Sequence, residues 1–164
     1  MKIKQFTVLL ESGIEIYRNM FRILEKEKKY ILSLQEEKLR AICSEKENLL
    51  SAVRDFESKR LDMLHELADS LGYAPQELTI SRLIRVSDEP YAGRIEKCRQ
   101  ILSKQIGRIR EMNRSNRVLA GNRLELIKGA VSLLGAVKEP QQIYYGNGEV
   151  RDMGVTGKYF SHKV

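Results

Sequence analysis

The side chains able to do chemistry are few and scattered. The two histidines, His65 and His162, lie far apart, the first at the surface or edge of a helix and the second near the end of the chain. The two cysteines, Cys43 and Cys98, form no CxxC pair and have no His or Cys neighbour at metal-ligand spacing. Both stand among helical apolar positions and read as small core residues in a reducing cytosol. No nucleophile stands at a useful distance from a base. No Gly-rich phosphate loop follows a strand, and Gly146-Asn147-Gly148 is a turn signal with no phosphate-loop context. These residues predict a protein that is not an enzyme and holds neither metal nor cofactor.

Charge is the next candidate for function. The net charge is +7, and it is uneven: residues 1–80 carry 13 Lys/Arg against 14 Asp/Glu, and residues 81–164 carry 16 against 8. Arg108, Arg110, Arg114, Arg117 and Arg123 concentrate the excess in one segment. They are spread around a helix, and no aromatic platform interleaves them, so a solvated basic face is expected and not nucleic-acid binding. Apolar runs are only a few residues long, such as Phe6 to Leu10, which excludes membrane insertion by a spanning helix. The basic start Met1-Lys2-Ile3-Lys4 leads into amphipathic sequence, so no signal peptide is read and a cytoplasmic location is expected.

What must position these side chains is helical. Ile3, Phe6, Leu10, Ile14, Tyr17, Phe21, Leu24 and Ile31 recur at steps of three and four, with a turn skipped at Lys28, and predict a helix over 2–34. A break near Ser33 to Glu37 is inferred from loss of register alone, since no Gly or Pro marks it. The second stripe, Leu39, Ile42, Lys46, Leu49, Val53, Phe56, Arg60, Met63 and Leu67, predicts a helix over 37–71, with Lys46 and Arg60 as snorkelling seam residues and Gly72 as the stop. A short helix is expected near 75–86, with Pro75 in a first turn and Thr79 as a possible cap. Ser87-Asp88-Glu89-Pro90 starts a third helix over 90–137, on the stripe Tyr91, Ile95, Cys98, Leu102, Gln105, Ile109, Met112, Asn116, Leu119, Arg123, Leu126, Ala130, Leu133 and Val137. From Lys138 the periodicity stops. Residues 138–164 are expected to be a flexible tail, in which Asn147-Gly148 closes a small hairpin between Ile143-Tyr144-Tyr145 and Val150. The predicted fold class is all-α: an antiparallel, coiled-coil-like three-helix bundle over 1–137.

At this level the chain resembles the FlgN-type flagellar export chaperones. The resemblance covers nearly the whole layout, including Ser44-Glu45-Lys46-Glu47-Asn48-Leu49-Leu50 and Glu57-Ser58-Lys59-Arg60 in the second helix. Its "Leu-Asn-x-x-Asn-x-x-Leu" segment is matched by Met112, Asn113, Asn116 and Leu119, with Met replacing the first Leu, and its "Tyr-x-x-x-Gly" tail by Tyr144 to Gly148, with Tyr145 a close rival. The resemblance implies a chaperone that holds C-terminal helical segments of hook-associated (hook–filament junction) proteins. It implies that the chaperone prevents their early assembly and delivers them to the flagellar export gate. It also implies that the third helix and the tail bind the client.

The residues supply a physical reason. Leu124, Leu126, Ile127, Val131, Leu133 and Leu134 offer more apolar surface than one seam needs, and a client helix requires such a face. Asn113, Asn116, Leu119, Leu126, Ile127, Val131 and Leu134, with the tail residues Ile143, Tyr144, Tyr145, Tyr159 and Phe160, are the candidate partner-binding set. Ordinary core packing of the arc, and asparagines that only set register, are the competing readings. A homodimer is a further possibility: seams this regular also suit a homo-oligomeric coiled-coil adaptor, while a basic nucleic-acid-binding helical protein is the third class.

Overall fold

The computed structural model describes residues 2–136, together with the backbone at 143, 144, 150 and 151. Among these residues the regular structure is helical apart from one two-residue ladder. The helices are α1 (Lys2–Ser33), α2 (Glu36–Leu71), α3 (Ile80–Val86) and α4 (Tyr91–Ala136). The ladder pairs β1 (Ile143–Tyr144) antiparallel with β2 (Val150–Arg151), setting Tyr144 opposite Val150. The remainder of the segment expected to be a flexible tail lies outside the described residues. The chain divides into two compact units, Met1–Gly121 and Asn122–Val164.

Within the first unit, the order of contacts gives the helix directions. Lys2 pairs with Glu66 at 3.2 Å, Tyr17 donates to Glu57 at 2.9 Å, and Lys46 donates to Glu27 at 2.9 Å. Ascending α1 meets descending α2, so the two are antiparallel. Arg94 grips Glu11, Ile109 packs with Met20 and Leu24, and Asn116 reaches Leu24, so α4 ascends beside α1 in parallel. The main core joins Phe6 and Leu10 of α1, Phe56, Leu64 and Leu67 of α2, Leu83 of α3, and Ile95, Cys98 and Leu102 of α4. Thr7 is buried among these apolar side chains because its hydroxyl donates to the Ile3 carbonyl at 2.8 Å, which leaves no unmade hydrogen bond.

Helix ends follow local chemistry. Gly72 takes φ 72° after α2, and Tyr73 N–H donates back to the Ala68 carbonyl at 2.9 Å, closing the helix in the expected way. Thr79 caps α3 by accepting from Arg82 N–H at 3.2 Å. The expected short helix near 75–86 is corrected at its start: residues 75–77 form only a turn and the helix begins at Ile80, where the cap is. The break between α1 and α2 needs neither Gly nor Pro. Leu34 adopts φ 52°, and Gln35 N–H donates to the Tyr30 carbonyl at 3.2 Å. A left-handed non-glycine residue costs about 1–2 kcal/mol. That cost falls on an exposed side chain, and Glu36 and Glu37 at the positive end of α2 help offset it.

Cys43 is a second correction. It is exposed, whereas Cys98 is buried as expected. Ile42 occupies the core slot in that turn of α2, which turns its neighbour outward.

α1 and α2 approach closely at Gly13. A Cβ there would fall inside the van der Waals envelope of the Phe56 ring, which is itself buried and set edge-on to Tyr17 at 6.0 Å between centroids. Replacing Gly by Ala inside a helix normally stabilises by about 1 kcal/mol. Here overpacking of about 1–3 kcal/mol opposes it, so Gly13→Ala is expected to lower the urea midpoint, and an unchanged or higher midpoint would show that Phe56 yields freely. Leu34→Gly is expected to do the opposite, adding about 0.5–1 kcal/mol by removing left-handed strain, net of the larger unfolded-state entropy. The same denaturation series reads both.

Candidate functional site

The predicted partner-binding residues divide sharply by environment. Asn116 is 3 % exposed. Its Nδ2 donates to the Leu24 carbonyl at 2.9 Å and to Glu27 Oε2 at 2.8 Å. Glu27, 9 % exposed, also accepts from Lys46 Nζ at 2.9 and 3.1 Å. Three helices are thus joined at one carboxylate, which receives donors from α2 and α4. Asn116 Oδ1 is buried and has no partner among the described residues. Asn113, one turn earlier, is exposed, and Leu119 is half-buried. The two asparagines therefore do different things, and only Asn113 is presented to solvent.

Glu27 is the residue that the sequence reading missed. Counting apolar residues alone, the first stripe skips a turn at Lys28, but the alternation of three and four passes from Leu24 through Glu27 to Ile31. A lone acid in an apolar register, facing a Lys in the register of the next helix, was the available signal. The second basic seam residue, Arg60, is similarly occupied. It donates to Glu57 at 2.8 Å, and Glu57 in turn accepts from the Tyr17 hydroxyl. Burial and that hydrogen bond push the Tyr17 phenol up to about 12, so it remains a donor throughout the physiological range.

From Leu124 the character of α4 changes. Leu124, Leu126, Ile127, Val131, Leu133 and Leu134 are all between 51 and 71 % exposed. At 3.6 residues per turn these six side chains sweep about half the helix circumference. The opposite face carries Glu125 and Lys128, paired at 2.9 Å, with Gly129 and Ser132. Added Cβ atoms at Gly121, Gly129 and Gly135 would meet nothing, so no close packing within the chain calls for a glycine there. The competing expectation, that this arc is ordinary core, is not what the structure shows: the buried seam of α4 runs through Ile95, Cys98, Leu102, Ile109 and Asn116, and Leu126 and Leu133, placed on that seam by period, are open. Soluble monomers seldom leave an apolar patch larger than a few hundred Å² without a use for it.

The basic residues do not make one site. Arg108 stacks over Phe21 at 4.0 Å and Arg94 forms its bidentate pair with Glu11, so part of the charge is structural. No helix is long and apolar enough to cross a membrane, and no cluster of metal-binding side chains occurs, among the described residues.

A family model described as FlgN protein matches residues 1–152, which includes every helix and the ladder. The chain belongs to the FlgN family. No curated protein and no solved structure matches it. FlgN membership brings a role in flagellar assembly as an export chaperone, and the family is one of chaperones, not one known for catalysis. The FlgN match spans Asn113 to Leu134 and the tail positions Ile143, Tyr144 and Tyr145. Tyr159 and Phe160 lie beyond both the match and the described residues, and Tyr145 lies outside the latter.

The carboxylate junction can be tested without any client. Lys46→Met leaves Glu27 buried without its cation and is expected to cost about 2 kcal/mol, below the 3–5 typical of full burial. Adding Glu27→Met should recover part of that loss, giving a coupling of roughly 1–2 kcal/mol in a double-mutant cycle read by denaturation. Strict additivity would show that the two groups do not depend on one another.

Proposed function

We propose that this FlgN-family chain is a cytoplasmic type III export chaperone that binds C-terminal helical segments of hook–filament junction proteins. It prevents their premature assembly and delivers them to the export gate. The observation that carries this reading is the exposed apolar half of α4 between Leu124 and Leu134. A client helix from a filament-forming protein has an apolar stripe made for its neighbours in the assembly. Laid along α4, its anchors at i, i+3, i+4 and i+7 would meet the column Leu124, Ile127, Val131 and Leu134, with Leu126 beside it. Covering both stripes removes from solution the surface that would otherwise polymerise.

In this reading residues 1–137 are the antiparallel bundle of the three long helices, and residues 138–164 are a separable tail. Ile143, Tyr144, Tyr145, Tyr159 and Phe160 add apolar contacts to the client from that tail. Asn113 and Leu119 belong to the same proposed set, while Asn116 acts indirectly by holding α4 on α1.

Isothermal titration of the full chain against C-terminal peptides of the junction proteins encoded in the same genome is expected to show saturable binding near one to one. The triple change Leu126→Ser, Ile127→Ser, Val131→Ser should weaken it at least about tenfold, or 1.4 kcal/mol, and leave the circular dichroism and melting of the protein in place, since these side chains are already exposed. Truncation after Val137 should also leave a helical protein with weaker binding. Folded protein that binds none of the peptides defeats the reading. Light scattering that shows a dimer abolished by the same triple change would assign the arc to a second copy of the chain.

A further inference from the structure

Within residues 1–121 there is a second surface that the client reading does not use. A groove of about 580 Å³ runs along α4 where it faces α2, with the start of α3 at one end. Leu10, Ile80, Leu102 and Ile106 make its apolar floor, and Arg60, Arg99 and Arg110 stand around it with one carboxylate, Glu57. Arg99, Leu102, Ser103, Ile106 and Arg110 recur at steps of one, three and four, so one face of α4 lines it for about 16 Å from Arg99 to Arg110 at 1.5 Å per residue. That length is two to three turns of a docked helix. Arg60 and Arg99 are oriented by Glu57 and Glu96, at 2.7 and 2.8 Å. Arg110 makes no hydrogen bond or ion pair among the described residues. The surrounding stretch from Lys97 to Arg117 holds seven Lys/Arg and a single acid, Glu111.

Gly107 lies in the middle of this face. Glycine is the poorest helix former after proline, and a Cβ added here would meet nothing within 4 Å. The fold therefore does not need glycine at 107, whereas a partner backbone approaching the groove floor does gain from it.

We propose that this groove docks an acidic amphipathic helix of a partner protein, with the apolar face on Leu102 and Ile106 and carboxylates on Arg99 and Arg110. An apolar floor calls for apolar anchors, and fork-shaped guanidinium groups at its edge call for carboxylates. Nucleic acid fits less well. The one aromatic side chain lining the groove, Tyr17, has its hydroxyl on Glu57 and its ring edge-on to Phe56, so no stacking platform is presented. The site is independent of the client arc, since none of its residues lies beyond Arg110.

The test uses the full chain and a fluorescein-labelled synthetic helix of about 18 residues, with Leu at i, i+3, i+4 and i+7 and Glu on its flanks. A second peptide has Lys in place of Glu. Fluorescence anisotropy is expected to show saturable, salt-weakened binding of the acidic peptide and at least about tenfold weaker binding of the Lys peptide. Gly107→Trp places a large ring at the groove from an exposed position where an added Cβ meets nothing within 4 Å, and should weaken binding of the acidic peptide at least about tenfold. Arg110→Glu should do the same, and Gly107→Ala, which leaves the groove open, should not. Leu126→Ser with Val131→Ser, which disrupts the client arc, should leave this binding unchanged. Circular dichroism establishes that each variant is folded. The proposal is overturned if the acidic peptide is not bound, if Gly107→Trp binds it as well as the parent, or if the Lys peptide binds equally. Loss of binding in the client-arc variant alone, or binding of a random DNA duplex at Arg110 in place of the peptide, also overturns it.

Discussion

A buried carboxylate needs donors, and in this protein Glu27 takes them from two other helices at once. Lys46 reaches it from α2 and Asn116 from α4, and Asn116 also donates to the Leu24 carbonyl on the same turn of α1. Sliding either helix by one residue would separate these groups and leave a charge in the interior, at a penalty of several kcal/mol. Apolar seams alone tolerate such slips, because one Leu resembles another. The junction is thus the element that sets register among α1, α2 and α4, in the way that a single buried polar residue specifies alignment in a coiled coil. Gly13 against Phe56 does the same by shape, at the other half of the α1–α2 contact.

Once register is set, the disposition of apolar surface follows. The seam of α4 is spent on α1, α2 and α3 as far as Asn116, and beyond Leu119 no large apolar side chain of that helix is buried among the described residues. The apolar arc from Leu124 to Leu134 and the basic groove from Arg99 to Arg110 then fall on different stretches of one helix. Their chemistry differs accordingly. The first is a wide apolar stripe with a Glu125–Lys128 ion pair behind it, the face proposed to hold a client helix. The second is narrow and ringed by guanidinium groups, which favours a particular charge over mere apolarity.

Much of this was readable from the chain. The periods of three and four define the long helices, and Gly72 and Thr79 mark an end and a start. The signals that failed did so for identifiable reasons. Cys43 has the composition of a core residue, but Ile42 takes the core position in that turn of α2, and Cys43, about 100° further round the helix, faces outward. Pro75 suggested a first turn, while the hydrogen bond that starts α3 is four residues later, at Thr79. Arg60 was legible as a seam residue, but not as the partner of Glu57 and a wall of the groove.

The amino-acid sequence by itself therefore determined the helices and the chemistry their surfaces offer, because helical periodicity and capping are local properties written in consecutive residues, and its motifs carried the resemblance to the FlgN family. Tertiary structure decided which polar residues are interior and which apolar residues are left over. Asn116 and Leu126 both lie in the register of the same helix, yet one is buried and hydrogen-bonded and the other stands open. That difference depends on where neighbouring helices lie alongside α4, which is a non-local fact and one that no pattern along the chain encodes.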